Sequence, residues 1–163
     1  MVLLKQILSR QDINNTARLA DSIWHEHFTP VIGEKQVDYM LDKFQSAPAI
    51  AEQIKLGYLY FALILDHRQI GYTAFRIDND ALFLSKLYIQ KEFRGNGFSH
   101  TVINHAEKLA REQKKNVVRL TCNKNNAASL AVYKKIGFKI VREEKADIGS
   151  GFFMDDYILE KQV

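Results

Sequence analysis

The apolar positions of this chain follow two rhythms, and the change between them marks out its elements. Residues 2–8 read as an opening strand. Ser9, with Asp12 three residues on, makes a variant capping box that starts a helix. Ile13, Ala17, Ala20, Ile23, Trp24 and Phe28 then recur at the spacing of one buried helical face. Pro30 and Gly33 predict its end. Val37, Met40, Leu41 and Phe44 predict a second, short helix, and Ser46-Ala47-Pro48 starts a third carrying Ile50 and Ile54.

The rhythm then shortens. Residues 59–65, 70–76 and 82–89 are strand-like runs joined by polar turns, the pattern of an antiparallel meander. A helix follows over about residues 99–115, with Val102, Ile103, Ala106, Leu109 and Ala110 on one face. Residues 117–122 form the next strand. Because a helix separates it from residues 82–89, those two strands are expected to be parallel. Asn125 or Asn126 caps another helix that stops at Gly137, and residues 138–141 and 152–159 close as strands. The order is β-ααα-βββ-α-β-α-ββ. It predicts an α/β (α+β) fold in one domain over residues 1–163: a single mixed, mostly antiparallel sheet of six to seven strands flanked by helices.

Composition narrows the class of function. The chain has 163 residues, 47% apolar and 26% charged, enough for a substantial core. No run approaches the ~20 apolar residues of a membrane span, and the opening Met1-Val2-Leu3-Leu4-Lys5 turns polar too early for a signal peptide. The single cysteine, Cys122, ends a mostly apolar run and reads as a buried strand thiol. A cytoplasmic protein with no membrane partner is the expectation. The net charge is +4, yet residues 1–60 carry 6 basic and 7 acidic side chains, so the excess lies downstream. Basic residues are not clustered with aromatics, which argues against a nucleic-acid partner. His25 and His27 lie two apart, off the i,i+4 spacing of helical metal ligands, so no metal is expected.

The chemistry begins at Arg94-Gly95-Asn96-Gly97-Phe98-Ser99, between a strand and a helix. Small residues there expose backbone N–H groups, and the helix start adds a positive dipole end, which together make an anion site. No Gly-Lys-Ser/Thr ending follows, so this is not a Walker loop, and it lacks the three glycines of the dinucleotide fingerprint. Downstream stands Asn126-Ala127-Ala128-Ser129-Leu130-Ala131-Val132-Tyr133-Lys134-Lys135-Ile136-Gly137-Phe138. Together, in this order, the two segments resemble the GNAT superfamily of acetyl-CoA-dependent N-acetyltransferases. Ser99 stands where the family loop usually has Gly or Ala.

The resemblance implies acetyl-CoA as donor, CoA as product, and direct attack by an amine in a ternary complex. It implies that the amides of Gly95, Asn96, Gly97, Phe98 and Ser99 hold the pyrophosphate, with Arg94 and Lys135 adding charge. Leu87, Tyr88 and Ile89 would meet the pantetheine arm through backbone bonds, and Asn126 would serve as helix cap and CoA contact. Tyr133 would donate a proton to the leaving thiolate. Many family members carry a glutamate where this chain has Ser85. The acceptor's proton would instead leave through water held by Ser85, Tyr72 or a backbone carbonyl, or pass to Glu26, His25 or His27.

Residues 22–29, 38–40 and 43–46, with Phe153-Met154-Asp155-Asp156-Tyr157, look like bacterial polyamine acetyltransferases of the PaiA type. That likeness implies spermidine or spermine as the acceptor, with Trp24, Glu26, Phe28, Asp38 and Tyr72 at the substrate. Asp155 and Asp156 point to opposite faces of a strand, so at most one faces a given slot. Other amines (a protein or peptide, an aminoglycoside, an amino acid) and a non-catalytic CoA-binding regulatory module are the competing readings. The family commonly dimerises, which leaves a homodimer open.

Overall fold

A computed structural model describes all 163 residues. Strand β1 (Leu3–Gln6) leads into helices α1 (Arg10–Ile32) and α2 (Glu34–Met40), a π-helical turn (Leu41–Gln45) and α3 (Ala47–Lys55). Strands β2 (Leu59–Leu65), β3 (Arg68–Ile77) and β4 (Leu82–Ile89) follow, then α4 (Phe98–Glu112), β5 (Val117–Asn123), α5 (Ala127–Ile136), β6 (Lys139–Gly149) and β7 (Phe152–Gln162). The strands form one seven-stranded sheet in the order β1-β2-β3-β4-β5-β7-β6. Every ladder with a defined register is antiparallel except β4 with β5, which is parallel as expected.

The chain divides into two compact units, residues 1–76 with 86–103 and residues 77–85 with 104–163. In the first, the N-terminal helices cover the meander. Ser9 caps α1 by accepting from the Asp12 N–H at 3.1 Å, and Ser46 caps α3 by accepting from Ala49 at 3.3 Å. Ala20, Ile23, Trp24 and Phe28 of α1 are buried, as their spacing requires. Pro30 does not stop α1. It sits in the last turn, where its missing N–H loses a single bond, and the helix ends at Gly33, whose φ of 88° an L-residue rarely adopts. The second helix is also split: α2 gives way to the π turn, which a plain helical period does not foretell.

Lys86 lies at the centre of this unit. On β4 it shares the buried parity of Leu82 and Leu84 and is only 6% exposed. Its ammonium donates to the Phe44 carbonyl at 2.7 Å, to Gln53 Oε1 at 2.8 Å and to the Tyr60 hydroxyl. All three ammonium protons are satisfied, but by neutral groups, and burial lowers the pKa to about 7. Phe44 belongs to the π turn, so this lysine fastens that turn to the sheet. Gly71 fixes a second close approach. A Cβ there would press into the Tyr88 carbonyl oxygen and lie 3.1 Å from Ile89 Cα, so β3 and the end of β4 meet at a distance only glycine allows.

In the second unit, α4 and α5 accompany the C-terminal strands. Ala106 and Ala110 of α4 are buried here. Asn126 caps α5, accepting from Ser129 at 3.3 Å, and Gly137 closes it in the left-handed conformation at φ 115°. Arg119 of β5 joins Glu160 at 2.7 Å and grips Asp80 through both terminal nitrogens at 3.1 and 2.8 Å. Strand β6 extends far past residues 138–141, because Arg142 to Asp147 continue the ladder with β7. Those residues are mostly exposed, and an edge strand can stay paired through its backbone without an apolar pattern.

Two stability outcomes follow. Gly71→Ala should destabilise by about 1–3 kcal/mol, the range for overpacking a rigid site, as read by denaturant unfolding. Between pH about 7 and 10.5 the unfolded chain holds the Lys86 proton and the folded chain does not, so this group makes stability rise with pH across that window. Lys86→Met should flatten that rise when Tm is followed from pH 6.5 to 9.5.

Candidate active site

The loop after β4 is shaped by its two glycines. Gly95 and Gly97 have φ of 79° and 78°, and a Cβ on either would meet nothing within 4 Å. Backbone conformation, not crowding, therefore demands glycine there. Asn96 between them folds back, its amide donating to the carbonyls of Phe93 at 3.0 Å and Arg94 at 3.4 Å. Helix α4 starts at Phe98, and the Thr101 N–H is the first to bond back, to the Gly97 carbonyl at 3.4 Å, so the N–H groups of Phe98, Ser99 and His100 have no partner within the helix. Alternating left-handed residues followed by a helix start make a concave set of N–H donors. A diphosphate fits this chemistry.

The strand leading into the loop offers alternate backbone groups. Gln90 donates its N–H to Ile70 on β3 at 2.9 Å. Backbone direction alternates along a strand, so Tyr88 also turns toward β3, and Leu87 and Ile89 turn away from it. The Ile89 carbonyl accepts from Arg94 Nε at 2.9 Å. The Arg94 guanidinium also reaches Glu26 Oε2 at 3.0 Å, with His27 Nδ1 3.4 Å away. Lys91 lies 3.9 Å from Glu26 as well. Arg94 thus braces the loop against α1, and the charge of Glu26 is matched within the protein.

The aromatic residues expected at the substrate are brought together, but as packing. Trp24 lies 4.4 Å from Phe28 and 5.3 Å from Tyr88, and Tyr72 lies 5.3 Å from Tyr88, all between ring centroids. Trp24 is 3% exposed and Tyr72 fully buried. The Tyr72 hydroxyl donates to Gln45 Oε1 at 2.8 Å, and burial holds its pKa well above the ordinary value. It is a fixed donor rather than a proton acceptor.

Asp38 has a different setting. It lines a pocket of about 270 Å³ with Ala17, Asp21, Leu41, Asp42, Gln45 and Ser46. His25 bridges two of the carboxylate residues: Nε2 lies 2.7 Å from Asp38 Oδ1 and Nδ1 lies 2.8 Å from the Asp21 carbonyl. The hydrogen bond to Asp38, then that to Asp21, raises the His25 pKa. Asp21, Gln45 and Lys86 were not singled out from the sequence. Asp38 and Asp42, four apart on one helical face, were the available signal for this pocket. A lysine at the buried parity of β4 was the signal for Lys86.

In the second unit, Ser85 is half-buried and stands one residue past the last pair of β4 with β5, Leu84 with Leu120. Tyr133 lies on α5 with its ring 5.8 Å from that of Phe138. Burial, and then the nearby Cys122, push its pKa well up, so the hydroxyl stays protonated at neutral pH. Cys122 is buried too, its thiol pushed up to about 12, which makes it an inert strand residue. Asn126 is buried as a cap, and Lys135 is exposed. No group of three or more His, Cys, Asp or Glu could hold a metal ion, and no helix is long and apolar enough to cross a membrane.

Comparison with known proteins gives the class of chemistry. A family model described as an acetyltransferase (GNAT) domain matches residues 28–154. The spermidine N(1)-acetyltransferase of Thermoplasma acidophilum is 24% identical over 153 residues, 91% of this chain and 92% of that protein. A crystal structure of PaiA N-acetyltransferase from the same organism, in complex with coenzyme A, has a TM-score of 0.81 at 21% identity, covering 100% of this chain and 99% of that one. A GCN5-related N-acetyltransferase from Rhodopseudomonas palustris has a TM-score of 0.82 at 19% identity, covering 99% and 95%. A nourseothricin acetyltransferase shares the fold over 64% of this chain and 65% of its own, with a TM-score of 0.59 at 19% identity. One fold thus serves proteins named for very different acceptors, so the acceptor must be argued from side chains. With the glycine loop at the start of α4, the tyrosine of α5 and a family match over most of its length, the chain belongs to the GNAT family of acetyl-CoA-dependent N-acetyltransferases.

Proposed function

We propose that this N-acetyltransferase passes the acetyl group directly to a primary amine of a small polyamine such as spermidine or spermine. The observation that carries the donor half is the pair of left-handed glycines, Gly95 and Gly97, at the start of α4. The amides from Gly95 to Ser99 hold the pyrophosphate, and the backbones of Leu87 and Ile89 meet the pantetheine arm. When bound, acetyl-CoA supplies an activated acyl group on sulfur. Tyr133 gives its proton to that sulfur as the amine displaces it, and regains one from the nitrogen. Arg94 supports the loop by holding the Ile89 carbonyl. Ser85 and Lys135 have weaker support, since neither makes a contact that commits it to this chemistry.

Two observations support the polyamine half. The Thermoplasma relative is named for spermidine, and here Asp21, Asp38 and Asp42 surround one concave pocket. A flexible polycation with ammonium groups several bonds apart is well held when one end rests among carboxylates. Asp38 is the substrate-facing member. Glu26 does not line this pocket and is held by Arg94 at the glycine loop, so it contributes less. Trp24, Phe28 and Tyr72 serve as the rigid apolar backing of α1 and the sheet.

Thiol release from acetyl-CoA, measured with spermidine, spermine, a lysine peptide, an amino acid and an aminoglycoside, tests the acceptor. The highest kcat/KM is expected for the polyamines, and a different class ranking first would overturn that half alone. Asp38→Asn should raise KM for spermidine roughly 2- to 5-fold, the effect of one exposed ion pair, and change a monoamine's KM less. Tyr133→Phe should lower kcat by about 10²-fold or more with little change in either KM. Full activity in that variant would remove Tyr133 as the proton donor.

A further inference from the structure

Strand β7 carries a buried carboxylate with no counter-ion. Asp156 is 7% exposed. In register it lies opposite Asn123 of β5 on one side and Glu144 of β6 on the other. The neighbouring cation is committed elsewhere: Lys124 Nζ lies 3.1 Å from Asp155 Oδ1 and 3.2 Å from Glu143 Oε2. Asp155 is therefore neutralised, while Asp156 has no ion pair and stands among anions. Burial, then repulsion from Asp155 and Glu144, lifts its pKa to about 6. A buried, unpaired aspartate opposes folding, and proteins keep such groups where function uses them.

Its position is specific. Asn123 ends β5, three residues beyond Leu120, the last residue paired with β4. The Asn123 side chain accepts from the Asn125 N–H at 2.9 Å and so opens the turn into α5, the helix of Tyr133. Cys122 points to the opposite face of β5 from Asn123 and Asp156. It feels the charge of Asp156 and in turn raises the pKa of Tyr133. The helix of the proposed proton donor and this carboxylate therefore both adjoin the end of β5 that runs past its ladder with β4.

We propose that Asp156 is the general base of the acetyl transfer, taking the proton of the acceptor ammonium so that the nitrogen can attack. This rests on the reading of Tyr133 as the donor to sulfur, and it gives the chain the carboxylate that Ser85 does not supply. The balance is complete. The ammonium loses one proton to the Asp156 carboxylate. A carbon–nitrogen bond forms as the carbon–sulfur bond breaks. Tyr133 protonates the sulfur and recovers a proton shed by the acylated nitrogen, and Asp156 releases its own to solvent. The gap between an aspartate near 6 and an amine near ~10 narrows when the ammonium leaves water. Glu144 and Glu143 of β6, Asp155 of β7, Lys124 just past β5 and Cys122 on the opposite face of β5 are the ionisable groups near it, and Asp156 is the one among them shifted to about 6.

The test uses whichever amine of the panel is turned over fastest, so that a wrong acceptor and a wrong base are separable. Asp156→Asn should lower kcat about 100-fold or more, with the Kd for acetyl-CoA within twofold. The acidic limb of kcat/KM near pH 6 should vanish in that variant, and Asp156→Glu should restore part of the rate. Asp155→Asn should move that limb to lower pH, because it removes one of the charges that repel the Asp156 carboxylate. Carbon-13 carboxyl NMR of the free protein should show Asp156 titrating near pH 6. An Asn variant within threefold of wild type, a surviving acidic limb, or titration in the ordinary aspartate range would overturn the assignment. If the Asn variant fails to bind acetyl-CoA, the Asp156→Glu profile and the carboxyl titration decide between the same two outcomes.

Discussion

Three residue pairs join β4 to β5: Leu82 with Val118, Phe83 with Arg119 and Leu84 with Leu120. Both strands run on past that point, β4 to Ile89 and β5 to Asn123. Backbone N–H and C=O groups are obligatory hydrogen-bonding groups, so a ladder that stops early leaves strand edges needing another partner. On β4 these are the groups of Leu87 and Ile89 that turn away from β3. On β5 they belong to residues 121–123, beside which β7 sets Asp156. The proposed pantetheine contact rests on the free edge of β4, because a strand paired on both sides has no backbone left to offer.

Within the first unit, the order of the N-terminal layer depends on an uncommon choice at Lys86. A leucine there would add apolar burial at no electrostatic penalty. The lysine instead satisfies the Phe44 carbonyl, Gln53 and Tyr60 together. The Tyr72–Gln45 bond is a second tie to the same π turn. Two polar anchors fix the segment that supplies Leu41, Asp42 and Gln45 to the acidic pocket. Fully satisfied buried networks of this kind specify one arrangement where apolar packing alone tolerates several.

In the second unit, burial acts in opposite functional directions on neighbouring groups. It keeps Tyr133 and Cys122 protonated, one as the proposed proton source and the other as an inert filler. The same desolvation brings Asp156 toward neutrality, where a carboxylate can both accept and release a proton. A single physical cause, removal of water, thereby suits Tyr133 to the proposed role of acid and Asp156 to that of base.

Much of this was legible in the chain. The helical spacing of Ile23, Trp24 and Phe28, the caps at Ser9, Ser46 and Asn126, and the glycines at 95, 97 and 137 each state a local requirement that the structure meets. The order of loop and tyrosine motifs pointed to acetyl-CoA as the donor, because phosphate binding is built from local backbone geometry. Where local rules compete with tertiary context, the reading fell short. Pro30 stays helical, a π turn replaces the second half of the second helix, and β6 runs through exposed charges that only pairing with β7 makes a strand. Side-chain roles were the least legible. Trp24 and Tyr72 proved to be core, and Glu26 is matched by Arg94. Sequence determines which groups exist and which backbone conformations they favour. Whether a carboxylate meets a lysine, as Asp155 does, or stands buried without one, as Asp156 does, depends on strand register and burial, which only the folded chain decides.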